Sequence, residues 1–532
     1  MKKQVIMDYH ERTKHHLDAY AKGPTHLDWE KQPDLFRRYS KTKRFPLPLS
    51  ADNLSTEYNK LYQADPVESK PLNVENIGAL LELSLGISAW KQYGGNRWPL
   101  RCNPSSGNLH PTEAYVLLPH IEEIPSGIYH YLSVDHVLEQ RGLFESNLHD
   151  KNHFLVGISS ILWREAWKYG ERAFRYCQHD VGHAVAAIEY AAASLGWRAR
   201  LMDDWSEAVL KEALGLDRNQ LPEREVAEAV LCIHTQPLEP DFCEFLHDIP
   251  QTEWLGIPNI LDPNHYYAWP IVETACTATV KPVSVRVAKQ QMKWEPPELP
   301  ELPTTDCYAR AADIIRWRRS AQAFDGQSLL SLDKFYRIID ATLPRQDRIP
   351  WDVFPYKPAI HLVLFVHRVN GLAPGVYLLS RSDDMLDELK GALDSRFNWQ
   401  KPDNCPGHLA FYQLLESDTQ ELARHISCHQ DIASDGAFSL AMLAEFDERL
   451  DKGAWYYRRL FWEAGVLGQV LYLEAEAAGI SGTGIGCYFD DMMHEFLGLS
   501  DKRFQSLYHF TVGTAIPDSR IETLPPYADL KR

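Results

Sequence analysis

Apolar residues recur at helical spacing in two long stretches of the chain. Val181, Val185, Ile188, Ala192 and Leu195 mark the first; Leu467, Val470, Leu471, Ala475 and Ala478 mark the second. Each predicts a long buried helix. Shorter apolar runs bounded by turn residues predict strands: "AYVLLP" (114–119), "PSGIYHYL" (125–132) and "APGVYLLS" (373–380). "SCHQDIASDGAFSLAMLAEF" (427–446) predicts a loop entering a buried helix, with Cys428 and His429 in structural roles. From about Leu238 to Pro303 the chain is dense in proline and ends in "KWEPPELPELPTTD", which predicts an extended linker or wrapping arm. The expected organisation is therefore 1–248, a proline-rich arm over 249–305, and 306–532.

The two long helical stretches are related. At a constant offset of 283 residues Arg175 meets Arg458, Gly182 meets Gly465 and Gly196 meets Gly479. The closing "LGL" of 214–216 meets "LGL" at 497–499. Ungapped spacing over this length favours duplication over an accidental match. A duplicated fold reproduces in one chain what a symmetric dimer builds from two.

Composition narrows the function classes. In 532 residues, 45% hydrophobic and 11% aromatic content is ample for large cores, and a net charge of −18 argues against a general nucleic-acid binder. The nine cysteines include no C-x-x-C pair, so neither a zinc cage nor a dithiol motif is expected; dispersed reduced thiols fit a cytoplasmic protein. The basic start "MKKQVIMDYHERTKHH" is too short in apolar residues for a signal peptide, and no run predicts a membrane span. His15/His16 and the group Asp490, Asp491, His494 and Glu495 lack metal-ligand spacing, so no metal is expected and a solvated helix face is predicted.

Four stretches can carry chemistry. Arg101 with Pro104, Ser105, Ser106 and Gly107 is either a surface turn or a small-residue loop over a planar ligand. Arg318, Arg319 and Ser320 are either a solvated basic patch at a helix end or a phosphate-binding donor group. "GISGTGIGCYFDD" (479–491) follows a helix, not a strand, which disfavours a dinucleotide fingerprint. It leaves a loop whose amides (Gly484, Ile485, Gly486) face a ring, or a glycine helix stop. "WREAWKYGERAFRYCQHDVGHA" (163–184) places Lys168 beside Tyr169, an acid/base pair or two solvated helix residues. The Pro-Ser-Ser-Gly loop and the Lys-Tyr pair occur only in the first half, the glycine segment only in the second.

Together, "RWPLRCNPSSGNLHPTEAYVLL", "RRSAQAFDG", "WKYGERAFRYCQHDVGHA" and "GTGIGCYFDD" resemble the nitroreductase superfamily, and within it the tandem form of the SagB/ThcOx-type dehydrogenases that oxidise thiazoline and oxazoline rings. The resemblance touches both halves. It implies an α+β fold of two nitroreductase-like repeats, each with a four- to five-stranded antiparallel sheet flanked by long helices, forming an intramolecular pseudo-dimer. It also implies FMN bound between the repeats. Arg318, Arg319 and Ser320 would hold the phosphate and Gly484, Ile485 and Gly486 would lie by the ring. Arg101, Pro104, Ser105, Ser106 and Gly107 would cover it, and Lys168 and Tyr169 would act in base chemistry. Gln322 stands where many nitroreductases carry a further basic residue.

One complete site implies one FMN per chain, with hydride accepted from a small-molecule or peptide-derived substrate. The alternatives are an NAD(P)H-dependent nitro or quinone reductase and a flavin-free binding or regulatory protein. The expected assembly is a monomeric pseudo-dimer or a higher homo-oligomer, without nucleic-acid or membrane partners.

Overall fold

The computed structural model describes residues 1–64, 67–146, 148, 152–216, 218, 222–237, 245–263, 268–282 and 294–530. Two antiparallel sheets form two lobes. The first runs, edge to edge, Glu253–Trp254, Val137–Leu143, Gly127–Leu132, Thr112–Leu118, His153–Ile161, Glu225–His234 and Arg198–Leu201, with Arg44–Pro46 also paired to Val137–Leu143. The second runs Ala410–Glu416, Gly375–Ser380, Ile360–Val366, Phe438–Glu445, Phe504–Gly513 and Ser481–Ile485. Six strands of the first sheet thus follow the order of the second. The expectation of four or five strands is exceeded in both.

Between the sheets lie two long helices, Ala173–Ser194 and Tyr456–Ala477, whose bounds differ by the same 283 residues. Each ends before a glycine with positive φ, Gly196 at +71° and Gly479 at +75°, a conformation that stops a helix at little cost only without a Cβ. The helices cross where Gly182 meets Gly465. A Cβ on Gly465 would lie 2.8 Å from the Gly182 Cα and 2.8 Å from the His183 nitrogen. Only hydrogen at both positions lets the backbones touch.

Ion pairs repeat the relation. Arg175 pairs with Asp490 (2.7 Å) and donates through Nε to Thr13 Oγ1 (3.0 Å). Its counterpart Arg458 pairs with Glu207 (3.3 Å) and donates through Nε to Thr279 Oγ1 (3.0 Å). Glu207 and Asp490 again stand 283 apart, each opening a helix, Glu207–Ala213 or Asp490–Leu497, that covers the outer face of its own sheet.

Several elements differ from expectation. The apolar run in 427–446 forms the central strand Phe438–Glu445, buried along its whole length; burial on both faces erases the period that separates strand from helix. Asp490 is fully buried rather than solvated, because Arg172, which caps the first long helix, and Arg175, in its first turn, reach it. The proline-rich segment 249–305 holds the helix Pro270–Ala278, which packs against the N-terminal helix Lys2–Arg12. Pro270 sits in the first turn, where its missing N–H costs nothing. Residues 264–267 and 283–293 of that segment, and Cys243, lie outside the described residues.

The termini cross between lobes. The helix Lys2–Arg12 meets the second lobe through His10 and Tyr457 (3.2 Å), and Lys3 pairs with Asp447 and Asp451. The C-terminal strand Glu522–Leu524 joins the first-lobe hairpin Ile87–Tyr93/Asn96–Arg101. Among the described residues no helix is long and apolar enough to cross a membrane.

Candidate active site between the lobes

A cavity of about 720 Å³ opens between the lobes, and the residues around it come from stretches far apart in sequence. Arg101, Pro104, Ser105, Ser106, Gly107 and Tyr169 border it from the first lobe; Arg318, Arg319, Ser320, Gly484, Ile485 and Gly486 border it from the second. Lys168 stands just behind this wall.

One end of the cavity is cationic. Arg318 and Arg319 follow the short helix Ala311–Trp317, and Arg318 is only 4% exposed. Arg318 Nη2 donates to the Arg101 carbonyl (3.1 Å) and its guanidinium stacks on Tyr472, 5.1 Å from the ring centre; its Nε has no partner. Arg319 donates to the carbonyls of Arg316, Arg318 and Ser88. Among the described residues neither arginine forms an ion pair with a carboxylate, so a buried cation, Arg318, and a half-buried one, Arg319, share one cavity end. Burial, reinforced by Arg318, draws Arg319 down to about 10.

The glycine segment is a strand, not the expected loop or helix stop. Ser481–Ile485 pairs with Phe504–Gly513, while Ala321 N–H donates to the Gly482 carbonyl on its other side (3.1 Å). Arg318–Ser320 is thereby fastened beside the glycines. Gly484 N–H donates to Tyr472 Oη (3.0 Å), which also bonds Ser320 Oγ (2.8 Å). A Cβ on Gly484 would come within 2.7 Å of Tyr508 Cζ. Close packing of aromatic rings thus requires the glycine.

The facing loop is held by a residue the sequence reading passed over. Asp180, on the first long helix, accepts from Ser106 N–H (3.0 Å) and Ser106 Oγ (3.1 Å) and from the Ser105 side chain. Ser105 Oγ also accepts from His110 N–H (2.8 Å). The two hydroxyls, expected to meet a ligand edge, thus first shape the loop. Arg101 likewise gives its Nη groups to the carbonyls of Thr112 (3.1 Å) and Leu35 (2.9 Å), holding the loop's base. Gly107 has φ +59°, and a Cβ there would meet the Tyr169 hydroxyl and approach Lys168 Nζ to 3.0 Å. The glycine admits the Lys-Tyr pair to the loop.

Lys168 Nζ lies over the rings of Trp29 (5.6 Å) and Tyr169 (5.1 Å). Burial lowers its pKa against the raising influence of Glu165, and burial raises the Tyr169 phenol well above its usual range. Glu165 is fully buried with neither carboxylate oxygen partnered, and burial next to Asp180 pushes it strongly towards the neutral acid. Tyr176 Oη and Arg172 Nη2 both donate to the Gly486 carbonyl (3.1 Å each), tying the first lobe to the glycine strand's end. Glu165, Tyr176 and Asp180 lie inside the stretch 163–184 without a predicted role there, and Tyr472 and Tyr508 lie in an apolar helix and strand without a motif.

Burial raises Asp180 to about 7 from the ordinary 3.8 despite the serine bonds. Between those values the folded state keeps a proton that the unfolded chain has lost, so stability falls as pH rises across that window. Asp180→Asn removes this contribution. The difference in melting temperature between wild type and variant is expected to shift in the variant's favour from pH 4 to pH 7; a pH-independent difference would contradict it.

At the pseudo-symmetric position the space is filled. Leu201, Met202 and Asp203 replace Gly484, Ile485 and Gly486, and Trp205, Trp455 and Trp462 close on a remnant of about 40 Å³. Arg459 is spent on an ion pair with Asp203.

Residues 68–233, in the first lobe, match the model of the Nitroreductase family. Over 139 residues the chain is 25% identical to a protein of Methanocaldococcus jannaschii assigned as a nitroreductase, covering 24% of this chain and 67% of that one. A crystal structure from Anabaena variabilis, likewise assigned, superposes with a TM-score of 0.69 at 21% identity, covering 96% of this chain and 99% of its own. A chain of the E. coli microcin synthetase complex covers 45% of this chain and 94% of its own at 17% identity, with a TM-score of 0.27. The fold is nitroreductase-like, with mixed α+β architecture.

Proposed function

We propose that this protein is an FMN-dependent oxidoreductase with one composite site per chain, assembled by a tandem pair of nitroreductase-like units. The observation that carries this is the pair of arginines, Arg318 buried and Arg319 half-buried, without carboxylate ion-pair partners among the described residues at one end of an interlobe cavity of about 720 Å³. That volume lies within the roughly 300–1,000 Å³ of small-molecule and cofactor pockets. A dianionic phosphate satisfies what Arg318 and Arg319 lack, and Ser320 adds a hydroxyl. Gly484, Ile485 and Gly486 border the cavity with Tyr176, Tyr472 and Tyr508 packed around them, a wall suited to a planar ring, and Pro104, Ser105, Ser106 and Gly107 border it from the other lobe. Bound there, FMN would supply hydride-transfer chemistry.

Within that class we assign the chain to the SagB/ThcOx-type dehydrogenases. Lys168 Nζ, its proton affinity lowered by burial, takes a proton from a heterocyclic or peptide-derived substrate. Tyr169 Oη keeps its proton and donates a hydrogen bond. Glu165, pushed towards its neutral form by burial, weakens the counter-charge beside Lys168.

One observation favours a second reading, NAD(P)H-driven reduction of nitro compounds or quinones: Lys168 packs on aromatic rings behind the cavity wall. Lys168→Ala separates the two. Oxidation of a thiazoline-containing peptide is expected to fall by about a hundredfold or more, the range of general-base catalysis. NADPH-driven quinone reduction should be little changed. An unchanged rate of thiazoline oxidation would remove the base role.

A further inference from the structure

Cys428 and Cys487 are separated in sequence by a whole strand, a long helix and the glycine segment, yet their sulfur atoms lie 2.8 Å apart. Both are half-buried, and Cys487, next to Gly486, borders the cavity. The segment presenting Cys428 is unusual: Cys428 and His429 both have left-handed backbones, φ +54° and +60°. Two consecutive non-glycine residues in that region are costly and occur where a site demands them.

The surroundings differentiate the two sulfurs. The hydrogen bond from the Cys428 thiol, with a second from His15, holds Cys487 towards the thiolate, while Cys428 is held as the thiol. Ala21 N–H donates to His15 Nδ1 (2.9 Å), which fixes the neutral ring's proton on Nε2. Burial keeps His15 neutral, so it acts as a hydrogen-bond donor and not as a counter-ion. Arg172 supplies the positive field; Tyr20, Tyr169, Tyr176 and Asp490 are the other titratable groups facing the pair.

We infer that Cys428 and Cys487 form a redox-active dithiol that exchanges with low-molecular-weight disulfides, a second redox site set in the wall of the cavity. The Cys487 thiolate attacks one sulfur of a disulfide R–S–S–R, forming a mixed disulfide and expelling RS⁻, which is protonated to RSH. Cys428 then gives up its proton and attacks the Cys487 sulfur, releasing a second RSH. Two protein thiols are oxidised to one disulfide and one small disulfide is reduced to two thiols.

The test uses the full-length protein equilibrated with glutathione at several ratios of oxidised to reduced form, acid-quenched, alkylated and mapped by mass spectrometry. A Cys428–Cys487 peptide that forms while both thiols disappear at one midpoint is expected. Cys428→Ser should stop with glutathione on Cys487. Cys487→Ser should take up glutathione on Cys428 about tenfold or more slowly than Cys428→Ser takes it up on Cys487, because an ordinary thiol supplies little thiolate near neutral pH. In the unmutated protein the alkylation rate of Cys487 should have a pH midpoint below that of a free cysteine, moving upward in His15→Ala. The inference is overturned if both thiols remain alkylatable in oxidised glutathione, or if Cys428 reacts as fast without Cys487 as with it. A Cys487 pH midpoint equal to that of a free cysteine would overturn it as well.

Discussion

Replacing both Arg318 and Arg319 with alanine is expected to weaken FMN binding by about a thousandfold while changing riboflavin affinity less than tenfold. Removing one member of a buried, hydrogen-bonded charge pair costs about 2–5 kcal/mol. The two arginines act together, so their losses do not add fully. A loss of about 4 kcal/mol, roughly a thousandfold, follows. Riboflavin has the same ring without the phosphate, so it separates a charge effect from a collapse of the cavity. Arg318 also stacks on Tyr472 and bonds the Arg101 carbonyl, and those contacts explain a small common loss for both ligands. Equal losses for FMN and riboflavin would move the phosphate away from these residues. The measurement is fluorescence titration of the flavin-stripped protein.

The second large effect is on stability. Gly465→Ala is expected to destabilise the protein by about 3 kcal/mol or more, although alanine is the better helix former by about 1 kcal/mol. The new methyl would press on the backbone of the facing helix, with the Gly182 Cα and His183 nitrogen each 2.8 Å away. Backbone cannot rotate aside as a side chain can, so the helices must separate and the core between the lobes loosens. Gly391→Ala is the control: that glycine lies in the helix Leu386–Ala392 with nothing near its Cβ position, so substitution should stabilise slightly. Thermal or denaturant unfolding of both variants reads the difference. A stabilising Gly465→Ala would mean that the two helices are not in backbone contact.

These two sites differ in how they are written in the sequence. Gly182 and Gly465 were visible as a matched pair, because the helices that carry them are long, periodic and equally spaced in both halves. Their meeting in space was not visible, since it depends on how two separated helices cross. The residues of the cationic end were legible as an Arg-Arg-Ser cluster. Their burial without carboxylate partners was not, because only the fold decides what surrounds an arginine.

The misreadings have physical causes as well. Ser481–Ile485 looked like a loop because glycine is poor in strands. Here Tyr472, Tyr508 and Phe510 fill the space that side chains would otherwise occupy. Phe438–Glu445 looked helical because a strand buried on both faces has no alternation to read. Asp490 looked solvated within an acidic run, and its partners Arg172 and Arg175 lie over three hundred residues earlier. Asp180 and Glu165 lay inside the stretch 163–184, but its lysine and tyrosine drew the reading, since a single carboxylate has no spacing to recognise. The thiol pair was unreadable for the same reason: Cys428 and Cys487 are joined only by the placing of two loops.

The composite arrangement also accounts for the unequal halves. The first lobe supplies the loop held by Asp180 and the Lys168–Tyr169 pair; the second supplies Arg318, Arg319, Ser320 and the glycine strand. At the related position Trp205, Trp455 and Trp462 close the space, and the Arg459–Asp203 pair occupies what would be the glycine end. The measurement that tests the central claim most directly is the amount of flavin released per chain from freshly purified protein and after reconstitution with FMN. One FMN per chain is the result this account expects. Two per chain would mean that the filled position binds as well, and none after reconstitution would leave the fold standing without the proposed enzyme.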